Sequence, residues 1–202
     1  KLIRFDTITT AMQYLSWALA GRPYMGVGRN LAYHKNLFIQ AKGFASHYHI
    51  QSGDDDLFIN AVARRKNVAI EIRPCAQTSS LPKQTFSEWI TQKKRHLSSG
   101  FHYKKSDKLM LGTFSISNLL FYISFCFLVI FIFISFSLYT LFVVATIFVI
   151  KIISQLLIFK KVMNKLEEKN LLLISPLLDV LFVVLNPLIA FLNLMKKQTK
   201  WK

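Results

Sequence analysis

LMLGTFSISNLLFYISFCFLVIFIFISFSLYTLFVVATIFVI, residues 109–150, contains no charged side chain. As a single helix these 42 residues would be about 63 Å long at 1.5 Å per residue, roughly twice the hydrocarbon thickness of a bilayer. The run must therefore fold back on itself. Ser135-Phe136-Ser137 is the natural turn, dividing it into spans of roughly 111–134 and 138–159. A buried hairpin in a soluble protein is the alternative, but nothing else in the 202 residues is large enough to cover so much Phe and Ile. The run is internal and too long for a signal peptide.

The flanks set the orientation. Lys93, Lys94, Arg95, Lys104, Lys105 and Lys108 precede the first span, and Lys160, Lys161 and Lys165 follow the second. The positive-inside rule places both flanks, and the polar part of the chain with them, in the cytoplasm. Residues 1–108 hold 17 Lys and Arg against 7 Asp and Glu; residues 109–202 hold 9 against 3. The formal net charge of +16 suits a domain resting on anionic headgroups. Nucleic acid is the competing partner. It is not expected, because the basic residues crowd the membrane edges and form no recognised nucleic-acid motif. Cys75 and Cys126 are the only cysteines, with no disulfide or zinc spacing.

Outward from the apolar run, periodicity predicts a helix over residues 5–20, a helical turn at 35–41, and helices over Asp55–Arg65 and Phe86–Leu97. Leu31-Ala32-Tyr33 and Val68–Ile72 are strand candidates, and residues 74–83 read as a Pro/Ser-rich loop. Residues 160–170 form a charged connector, and 171–202 an apolar segment with a basic tail. Lys151 and Asp179 each lie nine residues from the same membrane edge, about 13 Å along their helices. Opposite charges at that depth are expected to pair. Pro187 could turn the last segment back, leaving Trp201 at the cytoplasmic interface, because a crossing would export the Lys-rich tail.

Three motifs carry chemistry. Gly26-Val27-Gly28-Arg29-Asn30 is a tight turn. It lacks the third glycine of a dinucleotide fingerprint, but its backbone can approach a ligand. Gly53-Asp54-Asp55-Asp56 sets three carboxylates at an element end, although like charges at contact distance oppose one another's ionisation. Its spacing is not that of an EF-hand, and a solvated acidic turn is the plainer account. Gln92, Arg95 and His96 stand at i, i+3 and i+4, so they share one helical face of donors suited to an anionic phosphate. Alone, this would be a solvated helix face. His47 and His49 could share a strand face, but no third metal ligand of suitable spacing accompanies them, so no metal site is assigned within this chain.

The order of these motifs, followed by a membrane hairpin, resembles the carboxy-terminal half of membrane-bound family 2 glycosyltransferases of the GT-A fold. The resemblance covers essentially residues 5–202. It implies an α/β fold class: a partial GT-A catalytic domain over 1–108, a transmembrane hairpin over 109–159, a connector over 160–170 and a third membrane or re-entrant segment within 171–202. The family's acidic motif maps to Asp54 and Asp55, with Asp55 as catalytic base, and Asp56 lies one position beyond it. The family's Gln-x-x-Arg-Trp motif maps to Gln92, Arg95 and His96, with His in place of Trp. Gly28, Arg29 and Asn30 would shape the sugar or acceptor pocket.

The implied activity is inverting transfer of a sugar from a nucleotide-sugar donor to a lipid-linked or other membrane-proximal hydroxyl. A divalent cation, Mg or Mn, would be held mostly by residues upstream. The start at Lys1, running directly into an amphipathic stretch, fits a chain whose donor-binding half precedes it. The rival expectation is a non-enzymatic membrane protein whose basic domain binds anionic lipid or a protein partner. That rival predicts no cleft around Asp55.

Overall fold

The long apolar run becomes two helices joined at the expected turn. The computed structural model describes residues 1–50 and 52–195. In chain order the helices are α1 (Leu2–Leu19), α2 (Lys35–Gln40), α3 (Asp54–Val62), α4 (Phe86–Gly100), α5 (Lys105–Ser135), α6 (Leu138–Lys165) and α7 (Ser175–Met195). Single 3-10 turns lie at Gly28–Asn30 and Pro74–Ala76. Helix α5 ends where Phe136 adopts a left-handed conformation (φ 48°). Ser137 then caps α6, its side chain accepting from the Thr140 N–H. Phe125 stacks on Phe148 across the hairpin, with centroids 4.4 Å apart. Hydroxyls inside it, such as those of Thr113, Ser115, Thr146 and Ser154, donate to the carbonyl one turn back. That leaves few polar groups for lipid to oppose.

Helices α5, α6 and α7 are each long and apolar enough to cross a membrane, and most of their surface faces outward. These features mark a membrane protein. The three helices meet at a polar cluster. Lys151 Nζ lies 2.7 Å from Asp179 Oδ2 and 2.7 Å from Gln155 Oε1. The Tyr122 hydroxyl donates to the same Asp179 oxygen at 2.7 Å and also contacts Lys151. The expected Lys151–Asp179 pair is therefore formed, with one residue from each helix and Gln155 as a fourth partner. Residues 196–202, Trp201 and the basic tail among them, lie outside the described residues, and so does the expected placement of that tail.

The α/β half-domain expected for residues 1–108 is not what forms. The chain is helical, with no strand or sheet among the described residues. Leu31 does have extended backbone angles, but no described segment pairs with it. Val68–Ile72 alternates as a strand would, yet it runs as an unpaired surface segment. The bonds beside it are local, with Glu71 accepting from the Arg73 backbone and guanidinium. Alternation describes a chain that could line a sheet. A strand exists only where a neighbour supplies the facing N–H and C=O groups, and here none does.

A layer of helices takes the sheet's place. Phe5 and Ile8 of α1, Trp89 of α4, Phe159 and Met163 of α6, Leu171, and Leu178 and Phe182 of α7 form one buried cluster. Each such side chain contributes about 1.5–3 kcal/mol on burial. A second cluster joins Tyr24, Leu57 and Tyr103, with Met110 and Leu111 of α5 packed against it. The polar part of the chain is thus built onto one end of the α5–α6 hairpin and along α7. Arg4 adds an ion pair to Glu168 in the α6–α7 connector.

Candidate functional site

Thr85 starts α4 with a capping box. Its hydroxyl accepts from the Glu88 N–H at 3.2 Å, and Glu88 accepts from the Thr85 N–H at 3.3 Å. Asp6 of α1 then fixes the rotation of α4, accepting from Trp89 Nε1 at 3.2 Å and from Lys93 Nζ at 2.5 Å. Lys93 also lies over the Phe182 ring, 5.1 Å from its centroid. With that side committed to α1 and α7, the neighbouring face carries Gln92, Arg95 and His96.

Ser99, seven residues after Gln92, continues this face and meets the acidic turn. It is fully buried, and its hydroxyl donates to Asp56 Oδ2 at 3.3 Å. Gly53, with φ +87°, sits against it, where an added Cβ would lie 2.4 Å from Ser99 Cβ. Both the left-handed backbone and the close approach require glycine here. The turn therefore ends with Asp54, Asp55 and Asp56 in the first turn of α3, where the helix N-terminus favours negative charge.

The three carboxylates have separate environments. Asp54 is exposed. Asp55 is half-buried, its Oδ2 accepting from the Gly28 N–H at 2.5 Å and its Oδ1 from the Asp56 N–H at 2.9 Å. Asp56 is buried, with 4% exposure. Burial, followed by the neighbouring Asp55 charge, raises its pKa to about 7, against the opposing hydroxyls of Tyr103 and Ser99. The turn is therefore not obliged to hold three full charges near neutrality.

The Gly28 turn meets Asp55 at contact distance. A Cβ on Gly28 would come within 2.9 Å of Asp55 Oδ2. Its neighbours anchor the turn to the loop beyond residue 73, Arg29 through the Ser80 hydroxyl and Asn30 through the Ala76 carbonyl at 2.8 Å. His96 keeps solvent access, yet crowding by surrounding atoms lowers its pKa. Arg95 and Arg29 add to that effect, and the negative charge of Asp55 partly opposes it. Arg95 is exposed and forms no ion pair with the aspartates among the described residues.

Three contributors escape motif reading. Ser99 continues the periodicity of the donor face. Asn60, one turn after Asp56, donates to the Tyr24 carbonyl at 2.9 Å and to Asp107 at 2.8 Å, and accepts from the Lys104 N–H at 3.0 Å. It thereby pins α3 to the start of α5. Tyr103, whose own pKa is raised by burial and by Asp56, closes the buried side. Ser99 has a detectable signal in the i+7 position. Asn60 and Tyr103 have none, because their partners are far away in sequence.

Among the described residues, no three His, Cys, Asp or Glu side chains converge as a metal-ligand group. The chain matches no family model, no curated protein and no solved structure.

Proposed function

We propose that the protein transfers a sugar, with inversion, from a nucleotide-sugar donor to a hydroxyl presented at the membrane, its polar part lying on the cytoplasmic side. The observation behind this is the contact of two separated motifs, with the helix of the third anchored beside them. The Gly28 turn touches Asp55, and the face carrying Gln92, Arg95 and His96 is seated on the same acidic turn through Ser99. This local constellation is built from helices and turns and requires no sheet.

Asp55 is the base. It takes the proton from the acceptor hydroxyl as that oxygen bonds to the anomeric carbon and the bond to the diphosphate breaks. Its orientation is set by the Gly28 N–H, which leaves lone pairs of the carboxylate for the acceptor. Gln92 and Arg95 offer donors for the charge that develops on the departing nucleoside diphosphate. His96, biased toward its neutral form, can accept or donate at the same face. Arg29 and Asn30 hold the pocket turn in place. The helices behind the site keep it at the bilayer, where a lipid-linked acceptor can reach it.

The test is transfer of labelled sugar, from a panel of nucleotide sugars, to lipid in membranes carrying the native-length protein. Asp55→Asn should reduce transfer to background while donor binding persists, and Arg95→Lys should impair it because the planar fork is lost. Wild-type turnover in Asp55→Asn would remove the base assignment. Absence of product from every donor would remove the transfer reading.

A further inference from the structure

Helix α3 has the acidic turn at one end and a basic cavity at the other. The cavity, of about 400 Å3, is lined by Arg22, Arg64, Arg65, Lys104, Ser106 and Asp107, among others. These residues come from the turn after α1, the end of α3 and the start of α5, and the local structure shows why they converge. Asn67 closes α3, accepting from the Arg64 N–H at 2.7 Å and donating to the Val62 carbonyl at 3.1 Å. The Arg64 guanidinium folds over the helix end onto the Ala61 and Ala63 carbonyls, at 3.0 and 2.7 Å. The stem of Arg65 lies across Gly21, where a Cβ would meet its Cδ at 2.8 Å. Asn60 holds the Lys104 backbone in place.

Four cations thus face a single carboxylate. Asp107 is already engaged by Asn60 and by the Ser106 hydroxyl. Crowding, followed by the nearby Arg64 charge, lowers the Lys104 pKa, with Asp107 opposing. Like charges gathered in a half-enclosed cavity repel unless an anion joins them. Helix α5 also begins there without a side-chain cap, so its first N–H groups add positive potential. Leu109, the first residue of the charge-free run, follows Lys104 by five positions, about 7.5 Å along the helix. The cavity therefore lies at headgroup depth.

We propose that this cavity binds a phosphate group, presented by an anionic membrane lipid at the edge of α5. The site is separate from the acidic turn and does not rest on sugar transfer. A phosphomonoester would meet the guanidinium forks of Arg64 and Arg65, with Arg22 and Lys104 completing the charge.

The test uses the full chain in neutral detergent micelles, with dioctanoyl phosphatidic acid titrated by calorimetry. Saturable one-to-one binding is expected, weakened at least roughly tenfold in Arg64→Gln/Arg65→Gln and in Ser106→Glu. Ser106→Glu adds a carboxylate to the cavity while suiting a helix N-terminus, so it serves should the double variant fail to fold. Lys160→Gln/Lys161→Gln, at the edge of α6, should leave binding unchanged. Binding of dioctanoyl phosphatidic acid that excess inorganic phosphate does not compete away identifies a lipid source. Inorganic phosphate that binds as tightly in its own titration, and competes with the lipid, supports the phosphate site and assigns it to a soluble source. Absence of saturable binding, or equal loss from the Lys160/Lys161 variant, would overturn the site.

Discussion

Gly28 and Asp55 touch through a main-chain N–H, so any side chain at position 28 acts directly on the carboxylate. Gly28→Ala should displace Asp55 and lower turnover by about tenfold or more, with the helical content unchanged by circular dichroism. Asp56 gives a different readout. Its folded pKa of about 7 stands above the usual carboxylate value of 3.8, so the folded chain keeps a proton that the unfolded chain releases. The stability that this proton contributes should be fully present below about pH 4 and be lost as pH rises through about 7. Asp56→Asn should flatten that slope and be more stable than wild type at pH 8, by on the order of 2 kcal/mol. Melting curves at several pH values check this, and an unchanged slope would refute it.

At the scale of elements, the Thr85 capping box predicts that Thr85→Ala costs about 1 kcal/mol of stability. The Lys151–Asp179 pair predicts a larger effect. Asp179→Asn leaves a cation among apolar helices and should cost roughly 2–4 kcal/mol, measured by denaturant titration in detergent. The exchange Lys151→Asp/Asp179→Lys should recover part of it. Helix α7 is long and apolar enough to span, but Phe182 packs on Trp89 and Asn193 donates to the Lys94 carbonyl of α4. Because α4 carries Lys93-Lys94-Arg95, the far end of α7 should stay on α4's side. In a Cys126→Ser background, Leu192→Cys should label with an impermeant maleimide from the same side as Cys75. Labelling from the opposite side would show that α7 crosses. The hairpin was legible because a long charge-free run admits few solutions and Ser135-Phe136-Ser137 interrupts it. The sheet was misread because Val68–Ile72 carries the alternation of a strand, while alternation says nothing about a partner. The donor face was legible from its spacing, but the role of Asn60 depends on Tyr24 and Asp107, far from it along the chain.

For the whole molecule, the decisive contacts join α1 to helices more than 150 residues later in the chain. Phe5 packs 5.4 Å from both Phe159 and Phe182, and Trp89 shares their cluster. Helix α1 cannot complete the burial of Phe5 and Ile8 until α6 and α7 exist. At about 5–20 residues per second of synthesis, the interval between Phe5 and Phe182 is roughly 10–35 s. For that time the early segment has an unsatisfied apolar surface beside a growing membrane hairpin. A chain ended after Asn170 should therefore be cut rapidly within α1 by added protease, whereas the same bonds in the longer chain resist. The maturation of the polar part would thus be timed by the ribosome and the insertion machinery, and a delay before α7 is made would become a risk of degradation for the segment around α1.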